Sequence, residues 1–155
     1  MKRRSKVNYS KGTVFLVPLR GGGFARGVVA RFDGKGLVFG YFFGPKLNSP
    51  EDATTRGLDP RQAVYITKFG DPSLRNGDWP QLGQVENWND DEWPMPPLIR
   101  VDEFAGRAFL SHYDDRTFDC IDEEEVSPAL VARYPYDGTD GDHAAEIRLS
   151  KLLNQ

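Results

Sequence analysis

The side chains able to do chemistry are few, and most fall in the second half of the chain. Ser111 and His112 lie in FLSHYDD, Cys120 in TFDCIDEE, and His143 closes the acidic stretch DGTDGDH. A cysteine beside a histidine could supply a thiolate and its base. Ser111 and His112 are sequence neighbours, and on a strand neighbours point to opposite faces, so they cannot exchange a proton. Cys120 lies on the run that follows, where a hairpin could bring it toward His112. No local signature surrounds it, and a strand cysteine behaves mostly as a small hydrophobe. An enzyme built on Cys120 and His112 is therefore kept only as an alternative.

Two further stretches suggest ligands at first sight. DGTDGDH places acids at 137, 140 and 142, but a calcium loop of the EF-hand kind ends in a glutamate at its twelfth position, where this chain has Arg148. A turn leading into a helix accounts for the same residues. The glycines of RGGG (20–23), followed by Gly27, have strands on both sides and no Gly-Lys-Ser/Thr after them. They suit a hairpin rather than a phosphate cradle. The sequence thus predicts no catalytic residue, no metal ligand and no cofactor.

Mostly strands would have to position whatever function remains. TVFLVPL (13–19), FARGVVARFD (24–33) and GLVFGYFF (36–43) are rich in β-branched and aromatic residues, with glycine turns between them, and predict an antiparallel meander. A loop is expected over 44–61, with one short helical turn near Asp52 to Thr55, then a strand over 62–71 and a turn or helical turn closed by Asn76 and Gly77. QLGQVENW (81–88), LIRVDEF (98–104), RAFLSHYD (107–114) and TFDCIDEE (117–124) read as further strands. Ser127-Pro128 starts a short capped helix, and 142–153 a terminal helix after an aspartate cap. The expectation is a mainly β (α+β) fold: a single small domain over 1–155, with a twisted antiparallel sheet or partly open barrel, one or two C-terminal helices, and a flexible basic N-terminus over 1–10.

The chain has 155 residues and a net charge of −3, with that charge unevenly spread. Residues 1–36 carry nine basic side chains and one acid, for +8, whereas 86–125 carry thirteen acids and three arginines, for −10. An acidic half repels phosphate backbones and attracts basic partners. The arginines of 20–31 alternate with apolar residues, as solvent-facing strand positions do. A small β-barrel binding nucleic acid through those strands is the other alternative. It would need Phe15, Phe24 or Phe32 exposed among the arginines as stacking platforms. No run approaches the roughly 20 apolar residues of a membrane span. The basic start lacks an apolar run after it, so no secretory signal is expected. A lone cysteine fits a reducing compartment, and a cytoplasmic location is expected.

All three tryptophans fall within GDPSLRNGDWPQLGQVENWNDDEWPMPP (70–97). Trp79, between a turn and a strand, suits a core lid whose indole N–H meets a backbone carbonyl. Trp88 and Trp93 flank NDDE and precede prolines, a pattern that suits aromatic anchors set among steering acids. KGTVFLVPLRGGGFARGVVARF and KFGDPSLRNGDWPQLGQ together resemble the immunity protein 26 family of bacterial polymorphic-toxin systems, in pattern over roughly residues 11–125. That resemblance implies a mostly β fold and a protein that neutralises a cognate toxin by binding it, with no catalytic residues. The expected contact face is Trp88, Asp90, Asp91, Glu92, Trp93, Asp122, Glu123, Glu124 and Glu125, covering a toxin such as a nuclease with a basic cleft.

Overall fold

Glycine turns separate the first three β-rich runs, and the chain reverses at each one. In the computed structural model, which describes residues 7–154, these runs form β1 (Thr13–Pro18), β2 (Phe24–Phe32) and β3 (Leu37–Leu47). They pair antiparallel, with Val14 opposite Val28 and Val28 opposite Tyr41. β3 extends through residues 44–47, which the sequence assigned to loop. Short 3-10 turns follow at Pro50–Asp52 and Pro60–Gln62, and then β4 (Tyr65–Gly70) pairs with β3.

The single helical turn α1 (Pro72–Asn76) stops at Gly77, whose φ of 89° favours glycine. β5 (Gln81–Gln84) returns to pair with β1. β6 (Leu98–Asp102), β7 (Arg107–Tyr113) and β8 (Cys120–Val126) form a second antiparallel sheet. A 3-10 turn at Pro128–Arg133, its start capped by Ser127 as expected, leads to β9 (Thr139–Asp140) and α2 (Asp142–Leu153). The main sheet runs β5-β1-β2-β3-β4-β9, with β9 parallel to β4, and neither sheet closes into a barrel. No helix among the described residues is long and apolar enough to cross a membrane.

The main sheet is covered on both faces, so its strands read as near-continuous apolar runs. One face packs Phe15, Phe42, Phe69 and Trp79 against Ala145 and Leu149 of α2. The other packs Val28, Phe39, Tyr41 and Phe43 against Trp93, Leu98 and Phe118 from the second half of the chain. On the first face, the Phe15 ring stacks on Trp79 at 5.7 Å with 3° between planes. Gly27, opposite Phe15 on β2, permits this, because a Cβ there would lie 2.3 Å from the Phe15 ring. Trp79 is fully buried, as expected of a core lid, but its indole N–H donates to the Glu146 carboxylate (2.7 Å) rather than to a backbone carbonyl.

Two local expectations need correction. Residues 7–10 were assigned to a loose basic N-terminus, yet Tyr9 is buried and its hydroxyl donates to Asp71 at 2.6 Å. Burial first, and the Asp71 carboxylate second, push that hydroxyl's pKa well up. The remainder of that segment, with Lys2, Arg3, Arg4 and Lys6, lies outside the described residues. Asp142 does not cap α2, whose N-cap is Gly141. Its carboxylate instead accepts from the Ser73 amide (2.8 Å) and hydroxyl (2.6 Å), tying α2 to the start of α1. Burial pushes Asp142 up, but the Ser73 and His143 donors outweigh it and hold the group below the usual range.

Gly27→Ala should destabilise the protein by about 1–3 kcal/mol through overpacking against Phe15. Urea denaturation measures it, and an unchanged midpoint would show that Phe15 does not lie across β2.

Candidate functional site

The acidic tryptophan loop is built from behind. Trp93 is 2% exposed, edge-on to Tyr41 at 5.3 Å and to Phe43 at 5.9 Å. Trp88 is half-buried, stacks on Trp93 at 5.6 Å, and rests on Gly12, where a Cβ would come within 3.1 Å of its ring. The Tyr41 hydroxyl donates to the Pro94 carbonyl, and burial pushes its pKa up to about 12, so it remains a donor. The expectation that Trp93 is an exposed anchor is therefore corrected: it belongs to the core. It faces inward because β3 offers an aromatic floor that an indole fills better than water does.

Arg31 closes the loop from beneath. Its Nε donates to Asp115 Oδ2 (2.9 Å), Nη1 to the carbonyls of Ala30 (2.7 Å) and Trp93 (3.0 Å), and Nη2 to the Asp90 carbonyl (3.1 Å). It is 4% exposed, although simple alternation placed it in solvent. The cause is a register shift between Val29 and Arg31 in the β2–β3 pairing. A bulge there turns Arg31 to the face that already holds Val28 and Ala30.

Asp90 is half-exposed and accepts from Lys11 Nζ (2.9 Å) and the Trp88 indole (2.7 Å). The Lys11 hydrogen bond, then that of Trp88, holds its carboxyl below the ordinary value. Asp91 and Glu92 are exposed, and among the described residues no hydrogen bond or ion pair engages their carboxylates. Glu92 also lines a cleft of about 720 Å³, together with Arg56, Asp59, Arg61, Glu86 and Trp93.

The second acidic group lies on β8, and no hydrogen bond or ion pair among the described residues joins it to the tryptophan loop. Glu123 accepts from Arg100 (2.8 Å) and Ser111 (3.2 Å), Glu125 from Arg107, and Glu124 lies 3.2 Å from His112 Nε2. The arginine hydrogen bonds are the leading cause that holds Glu123 and Glu125 below their usual range. Asp122 is exposed opposite His112. Two residues that sequence reasoning missed accompany them. Phe109 lies beneath Arg100 (4.3 Å) and Arg107 (5.3 Å), and Phe104 stands fully exposed on the β6–β7 turn. The turn itself, EFAG, was the available signal for Phe104.

Other chemistry finds no partner set. Cys120 is exposed opposite Tyr113, with its thiol 3.5 Å from the Asp122 carbonyl, while His112 turns to Glu124. The hairpin therefore forms but does not place the thiol on the imidazole. Ser73, Asp142 and His143 fall together, yet the serine hydroxyl donates directly to the carboxylate and the imidazole side chain is 74% exposed. The three acids of 137–142 go to separate places: Asp137 to Tyr113, Asp140 to Tyr65 and Asp142 to Ser73. Among the described residues, no group of three or more His, Cys, Asp or Glu could hold a metal ion. Of the three aromatics a stacking platform on those strands would use, Phe15 is fully buried and Phe32 is half-buried edge-on to Tyr9, while Phe24 is half-buried and the Arg26 guanidinium donates to the Thr54 carbonyl.

A family model described as Immunity protein 26 matches residues 10–110. The chain belongs to the immunity protein 26 family. The match takes in β1 to β6, most of β7, Arg31 and the whole tryptophan loop. No curated protein and no solved structure matches the chain.

Arg31→Lys keeps the charge but replaces three donor nitrogens with one. It should lower stability by about 2–3 kcal/mol and shift tryptophan emission to longer wavelength. Unchanged emission and urea midpoint would show that the indoles alone hold the loop. The depressed Asp90 carboxyl contributes stability fully above the ordinary carboxylate pKa and loses it as pH falls through the lowered value. Emission from Trp88 should accordingly change below about pH 4, and an identical acid transition in Asp90→Asn would remove Asp90 as its source.

Proposed function

We propose that this immunity protein neutralises a cognate toxin by binding it and covering its active site. The leading contact is the Asp91–Glu92 segment on its Trp88–Trp93 platform, with the acids of β8 as a second contact. Family membership supports an immunity role. The single observation that carries the choice of surface is a solvated carboxylate pair on a loop whose backbone is held from behind by Arg31, Tyr41 and two indoles. A surface so fixed loses little conformational freedom on docking.

The partner's chemistry follows from the charge. Toxins that act on polyanions, nucleases among them, need basic clefts, and an acidic loop covers such a cleft in place of the substrate phosphates. Binding in the reducing cytoplasm suits a lone exposed cysteine. Within this reading the tryptophans support the contact rather than make most of it. Trp93 orders the loop, and Trp88 offers only its outer edge.

The test uses the toxin domain of a polymorphic-toxin gene found next to the one that encodes this chain. Replacing Asp91 and Glu92 together by alanine should slow association about tenfold at low ionic strength, with the difference vanishing at high salt. Equal association rates at low salt would move the interface elsewhere. Absence of binding by the unaltered protein would sink the toxin reading.

A further inference from the structure

We propose that the free edge of β8 takes up an extended, lysine- or arginine-bearing segment of the partner as a fourth strand of the small sheet. The inference rests on the toxin-binding reading and adds to it a mode of recognition. Its first support is the asymmetry of that sheet. On the β6 side, the Ile99 amide donates to the Pro135 carbonyl (2.9 Å) and the Asp137 amide to the Ile99 carbonyl (2.7 Å), so residues 135–137 cover that edge. On the other side, β8 pairs only with β7 among the described residues. Its outward N–H and C=O groups form a ready template for another chain.

The form of the strand fits the role. Cys120–Val126 contains no proline, and every residue before Val126 is exposed. The extra residue at the register shift is Ile121, 68% exposed, which leaves Asp122–Val126 as a regular run opposite His112–Ala108. An apolar side chain next to an open ladder is what a docked strand would cover.

Charge selects the occupant. Four consecutive acids, Asp122–Glu125, line the edge, and residues 98–126 carry nine acids against three arginines. A second copy of this chain pairing edge to edge would set acids against acids, which is destabilising. A strand with Lys or Arg at alternate positions meets Asp122 and Glu124 on one face, where among the described residues only the His112 imidazole contacts either carboxylate, at Glu124. On the other face Arg100 and Arg107 already occupy Glu123 and Glu125. Basic residues concentrated on one face of the incoming strand are therefore preferred.

The experiment is residue-resolved amide exchange by NMR on the full chain, free and with the same toxin domain. Binding is also measured for the double variant Asp122→Lys, Glu124→Lys after its fold is checked by thermal melting. Main-chain pairing predicts that the alternate β8 amides facing away from β7 slow on binding, while those already paired with β7 change little. The variant should bind about tenfold more weakly. Toxin binding with unchanged exchange of the outward β8 amides, or full affinity of the folded variant, overturns the strand proposal and leaves the Asp91–Glu92 reading standing. Edge pairing between two copies, seen as a dimer by light scattering with the same amides protected, also overturns it. No binding by the unaltered protein takes down both.

Discussion

Arg31 joins three stretches that are far apart in sequence: β2, the tryptophan loop and the β7–β8 turn. A guanidinium presents its N–H groups in a fixed plane, and here four of those donor contacts go to three carbonyls and one carboxylate. Buried without such partners, the charge would be strongly unfavourable. The loop and the turn must therefore be in place before this face of the main sheet can close. Trp93, Leu98 and Phe118 close it as apolar filling around that one polar clamp. The acids of the clamp, Asp90 and Asp115, stay nearly half-exposed at 44% and 47%. The same contact thus fixes the loop's backbone from inside and, with Lys11, balances these two acids, so the unpaired charge of the loop among the described residues is that of Asp91 and Glu92.

Much of the fold is legible from short-range signals. Glycine turns between β-branched runs announce the meander, Ser127-Pro128 announces its capped turn, and the apolar spacing after residue 142 announces α2. What short-range signals cannot carry is which face each strand shows. Both faces of the main sheet are covered, so no alternation distinguishes them, and a one-residue bulge at Ala30 reverses Arg31 without leaving a mark in the sequence. Tyr9 and Asp142 fail for a related reason. Their partners, Asp71 and Ser73, are more than sixty residues away.

The candidate site was legible as a place but not as a geometry. The clustering of three tryptophans with acids and prolines points to residues 88–93, and these do form one compact unit. Composition alone made the indoles look like anchors, because nothing local reveals that Tyr41 and Phe43 wait beneath them. The charge count likewise found the acidic half but could not tell solvated acids from paired ones. Asp91 and Glu92 are free of partners among the described residues, whereas Glu123 and Glu125 are each held by an arginine two strands or one strand away.

Those arginine pairs explain how an acidic edge can exist at all. Four successive carboxylates on an outer strand repel one another and weaken its pairing with β7. Arg100 and Arg107, stacked on Phe109, neutralise the acids on one face of the ladder through exposed contacts that are individually modest. Their effect is to let β8 remain on the sheet while Asp122 and Glu124, on the other face, keep their charge for solvent and for whatever approaches. The acidic strand is thus sorted by its own pleat, because alternate side chains fall on opposite faces. One face is tied to arginine and holds the strand in place, and the other carries the field that a basic partner would meet.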